Sequence, residues 1–157
     1  MVTDKNEKPK RPLLGYQIKS PIEMAAILFE ACAKGDLKTV RTILSLNKEV
    51  VKYAVDPHTD ATALMTACYH GFYQIAHELV MTKQVNINET NYFGLSALHF
   101  AAQAGFENIV ELLIHHGIHI NAQAEDGVTA LFVAVEKAHE FVIEKLLNND
   151  ADVNLCW

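Results

Sequence analysis

The chain contains no run of 18 or more apolar residues, so no segment of it is suited to cross a bilayer as a helix. Cysteine is scarce. Cys32, Cys68 and Cys156 make an odd set without framework spacing, which excludes a disulfide scaffold and suits a reducing compartment. There is no glycine-rich phosphate loop, and no nucleophile–base pairing can be read. Metal-ligand spacing fails as well. His115 and His116 are neighbours and point in different directions on a helix, and Gly117 interrupts the helical spacing between His115 and His119. Residues 1–12 are polar and charged and lack the apolar segment of a secretory leader. Catalysis, cofactors and metals are therefore not expected, and neither is a membrane partner.

Positive charge is also short. Thirteen Lys and Arg face nineteen Asp and Glu, for a net of −6. The imbalance is uneven along the chain. Residues 1–22 hold Lys5, Lys8, Lys10, Arg11 and Lys19 against Asp4 and Glu7, a net of +3 that leaves −9 on the remainder. An acidic body disfavours nucleic acid, because phosphate contact needs a basic footprint. Pro9, Pro12 and Pro21 oppose helix, so residues 1–22 read as a basic, flexible N-terminal arm ahead of a domain at 23–157. The run KPKRP at 8–12 could act as a nuclear import signal, although a solvated arm is the commoner meaning of such a run. Leu13, Leu14 and Tyr16 could let part of the arm lie along the first helices.

What the chain has is a repeat. Within GLSALHFAAQAGFENIVELLIHHGIHINAQ at 94–123, Ser96 is suited to cap a helix whose apolar positions are Leu98, Ala101 and Ala102. Gly105 ends that helix, and a second follows with Ile109, Val110, Leu112, Leu113 and Ile114 inward and Glu107, Asn108 and Glu111 towards water. Thr62, Ser96 and Thr129 share one slot, 34 and then 33 residues apart. So do Leu64, Leu98 and Leu131; Ala67, Ala101 and Ala134; Gly71, Gly105 and Ala138; and Asn88, Asn121 and Asn154. Two short helices cannot bury such faces alone, and a period near 33 reads as a stacked helical array.

SALHFAAQAG at 96–105, TALMTACYHG at 62–71 and TALFVAVEKA at 129–138 resemble the signature of the ankyrin repeat family. The resemblance covers about residues 23–157 and implies an all-α solenoid of about four helix–loop–helix units with short hairpin fingers. The units fall at about 23–56, 57–90, 91–123 and 124–157. The family's first-turn proline is alanine here (Ala63, Ala97, Ala130), and of its signature histidines only His99 remains, with Met65 and Phe132 in its place. In the family that imidazole ties the helix start to the loop. The first unit shows Ala26 in the cap slot, and its link to the second, 47–61, is about three residues long for the period. Val50, Val51, Tyr53 and Val55 suggest that this link packs down. Gly94 and Gly127 suit the positive backbone angle of a finger turn.

The resemblance further implies a non-catalytic protein-binding adaptor or scaffold, gripping a partner in a concave groove. The matching positions are His58 and Thr59, Tyr92 and Phe93, and Glu125 and Asp126 at the finger tips. Along the first helices they are Tyr69 and His70, Gln103 and Ala104, and Glu136 and Lys137. Tyr92 and Phe93 either face solvent or fold back on Tyr69 or Phe100. Acidic tips beside aromatics suggest a peptide or loop offering a hydrophobic anchor next to Lys or Arg, met in the cytoplasm or nucleus. The alternative is a regulatory or structural ankyrin segment of a larger enzyme or channel. Asn121 and Asn154, with Leu113 and Leu146 eight residues before, also fit the pattern of asparaginyl hydroxylation in ankyrin proteins; the plainer role is an asparagine that bonds its own turn. Val133, Val135, Phe141, Leu155 and Trp157 leave the C-terminal end apolar, which suggests a further unit or self-association.

Overall fold

The computed structural model describes residues 20–155. Eight α-helices stand in four consecutive pairs: α1 (Pro21–Lys34) with α2 (Leu37–Leu46), α3 (Ala63–Tyr69) with α4 (Tyr73–Met81), α5 (Ala97–Ala104) with α6 (Glu107–His115), and α7 (Ala130–Glu136) with α8 (Glu140–Leu147). The first helices pack in one row, α1–α3–α5–α7, and the second helices in another, α2–α4–α6–α8. Among the described residues there is no strand. Three isolated bridges, Val55–Thr62, Thr90–Ser96 and Gln123–Thr129, close the fingers. This is the expected all-α solenoid.

The first helix begins earlier than the sequence suggests. Ser20 caps it: its hydroxyl accepts the Glu23 N–H at 3.2 Å, and the Glu23 carboxylate accepts the Ser20 N–H at 3.1 Å. Pro21 does not oppose this helix. It stands in the first turn, where a missing N–H is no loss and a fixed φ helps. Ala26 lies inside the helix and is not its cap. The remainder of the arm, and Cys156 and Trp157 with it, lies outside the described residues.

The long first link folds as a 3₁₀ helix, Lys48–Tyr53, against α1. Val50 and Val51 are buried there, but Tyr53 projects to solvent. One continuous apolar core runs through the stack. Cys32 and Cys68 sit fully inside it, and burial pushes the Cys32 thiol up to about 12 and the Cys68 thiol further, so both are inert.

The turn between the two helices of a pair is also a joint between units. Gly35, Gly71 and Gly105 adopt φ of 74°, 75° and 79°. Above each lies the ring of the residue that starts the next unit's second helix. A Cβ on Gly35 would stand 2.8 Å from the Phe72 ring, on Gly71 2.3 Å from Phe106, and on Gly105 2.6 Å from His139. These glycines therefore serve the backbone turn and the ring seat together. Ala138, the fourth in the series, holds φ 56° with a Cβ in place.

The asparagines make a second joint. The Asn88 amide donates to the Gly117 carbonyl at 3.3 Å and its Oδ1 accepts the His119 N–H at 2.7 Å. Asn121 repeats the motif on the Asp150 carbonyl (3.1 Å) and the Asp152 N–H (2.8 Å). Both bond the following unit's turn, not their own. Asn154 turns back, its amide donating to the Asp152 carboxylate at 3.0 Å.

Candidate functional site

The fingers and the first helices share one face of the stack. Each finger is held to its neighbour through backbone: the Tyr92 N–H donates to the Thr59 carbonyl at 3.1 Å, and the Glu125 N–H donates to the Phe93 carbonyl at 3.0 Å. The tips are thus a connected row. Within the first finger, the Asp56 carboxylate accepts the His58 N–H at 2.9 Å and the Thr59 N–H at 2.8 Å. These bonds hold the Asp56 carboxyl below the usual carboxylate range. In the second, the buried Asn91 side chain accepts the Phe93 and Leu95 N–H groups, which sets the Tyr92–Phe93 corner. Gly94 completes it at φ 72° and Gly127 the next at φ 81°.

The loop also ties to the helix starts, differently in each unit. His99 is buried, and its Nδ1 accepts the Ser96 N–H at 3.1 Å. The ring proton is therefore on Nε2, which donates to the Val128 carbonyl of the next finger at 3.0 Å. The Ser96 hydroxyl is 2.9 Å from the same Nδ1, so it serves this ring as well as its helix. In the second unit Met65 does part of the task, its sulfur accepting the Thr62 N–H at 3.3 Å. In the fourth, Thr129 caps its helix through the Phe132 N–H, and Phe132 has no polar atom to offer the loop.

Of the expected contact residues, His58, Tyr69, His70, Tyr92, Phe93, Gln103, Glu125, Asp126 and Glu136 are exposed, and Thr59 is half-buried. Tyr92 and Phe93 are 61 % and 57 % exposed, so neither folds back on Tyr69 or Phe100. Tyr69 instead meets Phe100 edge to face at 6.3 Å, and His70 at 5.2 Å. Between α1, the first finger, α3 and α5 these rings line a shallow depression of about 240 Å³. Phe29, Asp56, Met65 and Thr66 complete it, alongside Thr59 and Ala61. Sequence alone did not single out Phe29, Met65 or Thr66; they share the face only because three successive units are stacked. Its floor is apolar and aromatic, and one carboxylate stands at its edge. At that edge the Thr59 hydroxyl donates to the Asp56 carboxylate at 3.0 Å.

Glu136 is 3.6 Å from Lys137, an exposed pair that leaves the fourth unit's tip acidic through Glu125 and Asp126. Asn121 is exposed with both ends of its amide engaged by the fourth unit, whereas the exposed Asn154 holds only its own turn. No helix among the described residues is long and apolar enough to cross a membrane.

The geometry is that of a repeat-stack interaction domain, and comparison with known proteins says which. The family model of ankyrin repeats (three copies) matches residues 28–124 and 64–155. The chain belongs to the ankyrin repeat family. It is 30% identical over 105 residues to a human photoreceptor ankyrin repeat protein, covering 67% of this chain and 23% of that one. It is 35% identical over 98 residues to a probable E3 ubiquitin-protein ligase, XBOS33, of Oryza sativa subsp. japonica, covering 62% of this chain and 17% of the ligase. It is 29% identical over 90 residues to the Drosophila melanogaster ankyrin repeat and KH domain-containing protein mask, covering 57% of this chain and 2% of that protein. The matched region is thus less than a quarter of each relative's length. Ankyrin repeats are in general protein–protein interaction modules and not catalysts.

Proposed function

We propose that this domain is a non-catalytic adaptor or scaffold that binds a peptide or loop of another protein across its finger tips and first helices. The observation that carries the reading is the Tyr92–Phe93 corner. Two adjacent aromatics stand in solvent on a turn braced by Asn91 and by both neighbouring fingers, a rigid placement that serves no core. The Tyr69–Phe100 depression lies on the same face and accepts an apolar side chain; Asp56, Glu125, Asp126 and Glu136 favour Lys or Arg beside it. The setting is the cytoplasm or nucleus. A partial match to a ligase supports a second reading, in which such a segment serves a larger enzyme.

The test is a titration of a purified partner against variants whose thermal melts match wild type. Tyr92→Ala or Phe93→Ala should each weaken binding by about 2 kcal/mol, the hot-spot scale. Asp126→Lys or Glu136→Lys should chiefly slow association, less so at high salt. Folded Tyr92→Ala and Phe93→Ala variants that bind like wild type would refute the assignment.

A further inference from the structure

We infer that the depression between Phe29, Tyr69 and Phe100 is a socket for a dimethylated lysine side chain of the partner protein. The inference rests on the binding face proposed above, and it makes the apolar anchor and its basic neighbour one side chain. The three rings come from three successive units: Phe29 on α1, Tyr69 on α3 and Phe100 on α5. The stack does not call for two of them. The slot of Tyr69 holds Ala33, Gln103 and Glu136 in the other units, and that of Phe100 holds Glu30, Thr66 and Val133. Tyr69 and Phe100 stand 6.3 Å apart at 88°, as two walls of a corner. His70 braces Tyr69 from 5.2 Å and itself stacks on Phe72 at 5.7 Å. A cation seated in that corner faces both rings within the roughly 6 Å at which a ring quadrupole attracts it. At about 240 Å³ the depression is smaller than the roughly 300–1,000 Å³ of a small-molecule pocket, so it suits the end of one side chain.

The edge of the depression supplies the charge and sets the degree of methylation. Asp56 is half-buried there, and no lysine or arginine pairs with it among the described residues. Its Oδ1 accepts the His58 N–H, the Thr59 N–H and the Thr59 hydroxyl at 2.9, 2.8 and 3.0 Å. Those bonds keep the carboxyl ionised, and they leave Oδ2 as its open acceptor. A plain ammonium brings three N–H donors, and each one left unmet on leaving water costs free energy. Phe29, Ala61, Phe100 and the face of Tyr69 present carbon and cannot receive them. A dimethylammonium keeps the positive charge and carries one N–H, which matches Oδ2. Its two methyl groups meet the rings.

The experiment titrates the full ¹⁵N-labelled chain with three probes and follows amide shifts by nuclear magnetic resonance. The probes are N-acetyl-dimethyllysine methylamide, its unmethylated counterpart, and the neutral analogue in which carbon replaces the side-chain nitrogen. The dimethyl probe should move the amides of Thr59, Thr66, Tyr69 and Phe100, and should bind at least about fivefold more tightly than either of the others. Tyr69→Leu and Asp56→Asn, checked by thermal melts, should each reduce that preference severalfold; Tyr69 is exposed, so its variant tests the socket even where Asp56→Asn disturbs the finger. A neutral analogue that binds as tightly would overturn the inference, as would an unmethylated probe that does so. So would shifts that fall elsewhere, or none. A partner titration tells this failure from that of the wider face. If binding still depends on Tyr92 and Phe93, the face stands without the socket. If that dependence is absent while the dimethyl preference holds, the socket stands and the path across Tyr92 and Phe93 is refuted.

Discussion

Gly71→Ala probes the joint between units most directly. The substitution is small and leaves every hydrogen bond its donor and acceptor. Two costs follow. An L-residue at φ 75° loses about 1–2 kcal/mol to the contact between Cβ and backbone. The new Cβ also stands 2.3, 2.6 and 2.7 Å from three Phe106 ring carbons, where carbons prefer 3.5–4.0 Å. The ring must withdraw by more than an ångström. Phe106 is half-buried against the core, so its withdrawal forfeits about half of the 1.5–3 kcal/mol that full burial of such a side chain supplies. Reduced freedom of the unfolded chain returns about 0.4–1 kcal/mol. The net loss is about 1–3 kcal/mol.

Urea unfolding followed by far-ultraviolet circular dichroism reads that loss as a lower midpoint. A double-mutant cycle isolates the ring. Phe106→Leu removes the atoms in conflict, so Gly71→Ala should cost about 1 kcal/mol less in that background. Ala138→Gly is the opposite case: it relieves a Cβ at φ 56° and should be neutral or stabilising by up to about 1 kcal/mol. A Gly71→Ala loss below about 1 kcal/mol, or a cycle with no coupling, would show that the glycine is not a ring seat.

Three other outcomes can be measured in the same way. Asn88→Ala and Asn121→Ala each remove two bonds to the following unit and should cost about 1–2 kcal/mol, whereas Asn154→Ala should cost almost nothing; equal losses at all three would contradict the bridging role. Burial holds the His99 pKa in the fold below its unfolded value near 6.5, so its contribution is complete above that pH and drains as pH falls through it, by at most about 1.4 kcal/mol per unit. His99→Met should flatten that slope below pH 6.5 in urea titrations, and an unchanged slope would assign it to other groups. Phe141→Asp should leave the melt unchanged, since the ring is 72 % exposed, and any self-association through this end should vanish in sedimentation; a dimer indifferent to the change would place the contact elsewhere.

How much of this was legible depends on the range of each interaction. The caps at Thr62 and Thr129, the turn at Gly105 and the inward set Ile109, Val110 and Leu113 are local or periodic, so the chain displays them openly. Pro21 was misread because a proline that breaks a helix interior is suited to its first turn, and only Ser20 and Glu23 together reveal which case applies. Asn121 was misassigned, and the bridging role of Asn88 passed unseen, for a different reason. Their partners are 29 to 31 residues away, and a side chain that can bond its own turn gives no sign that it has chosen the next one. Phe72, Phe106 and His139 look like ordinary residues before a helix until the stack sets each over a glycine 34 to 37 residues earlier.

The fourth unit shows what the repeat pattern alone leaves open. Cys32, Cys68, Ala102 and Val135 share one slot; the first three are fully buried by the following unit, and Val135 is 56 % exposed. Burial in that slot belongs to the neighbour and not to the residue, so apolarity there identifies a surface that accepts cover. Phe141 is the sharper case. Lys38, Gln74 and Asn108 occupy its slot in the other units, all polar and exposed, so stacking does not call for an aromatic there. The turn beside it is altered too, since the Ala138 Cβ fills the space where Gly35, Gly71 and Gly105 receive a ring. A unit added in the manner of the others would need a ringless side chain at that seat. The fourth unit thus keeps an apolar face while giving up the joint that three earlier units use, and the exposed Phe141 enlarges that face where the other units carry polar residues.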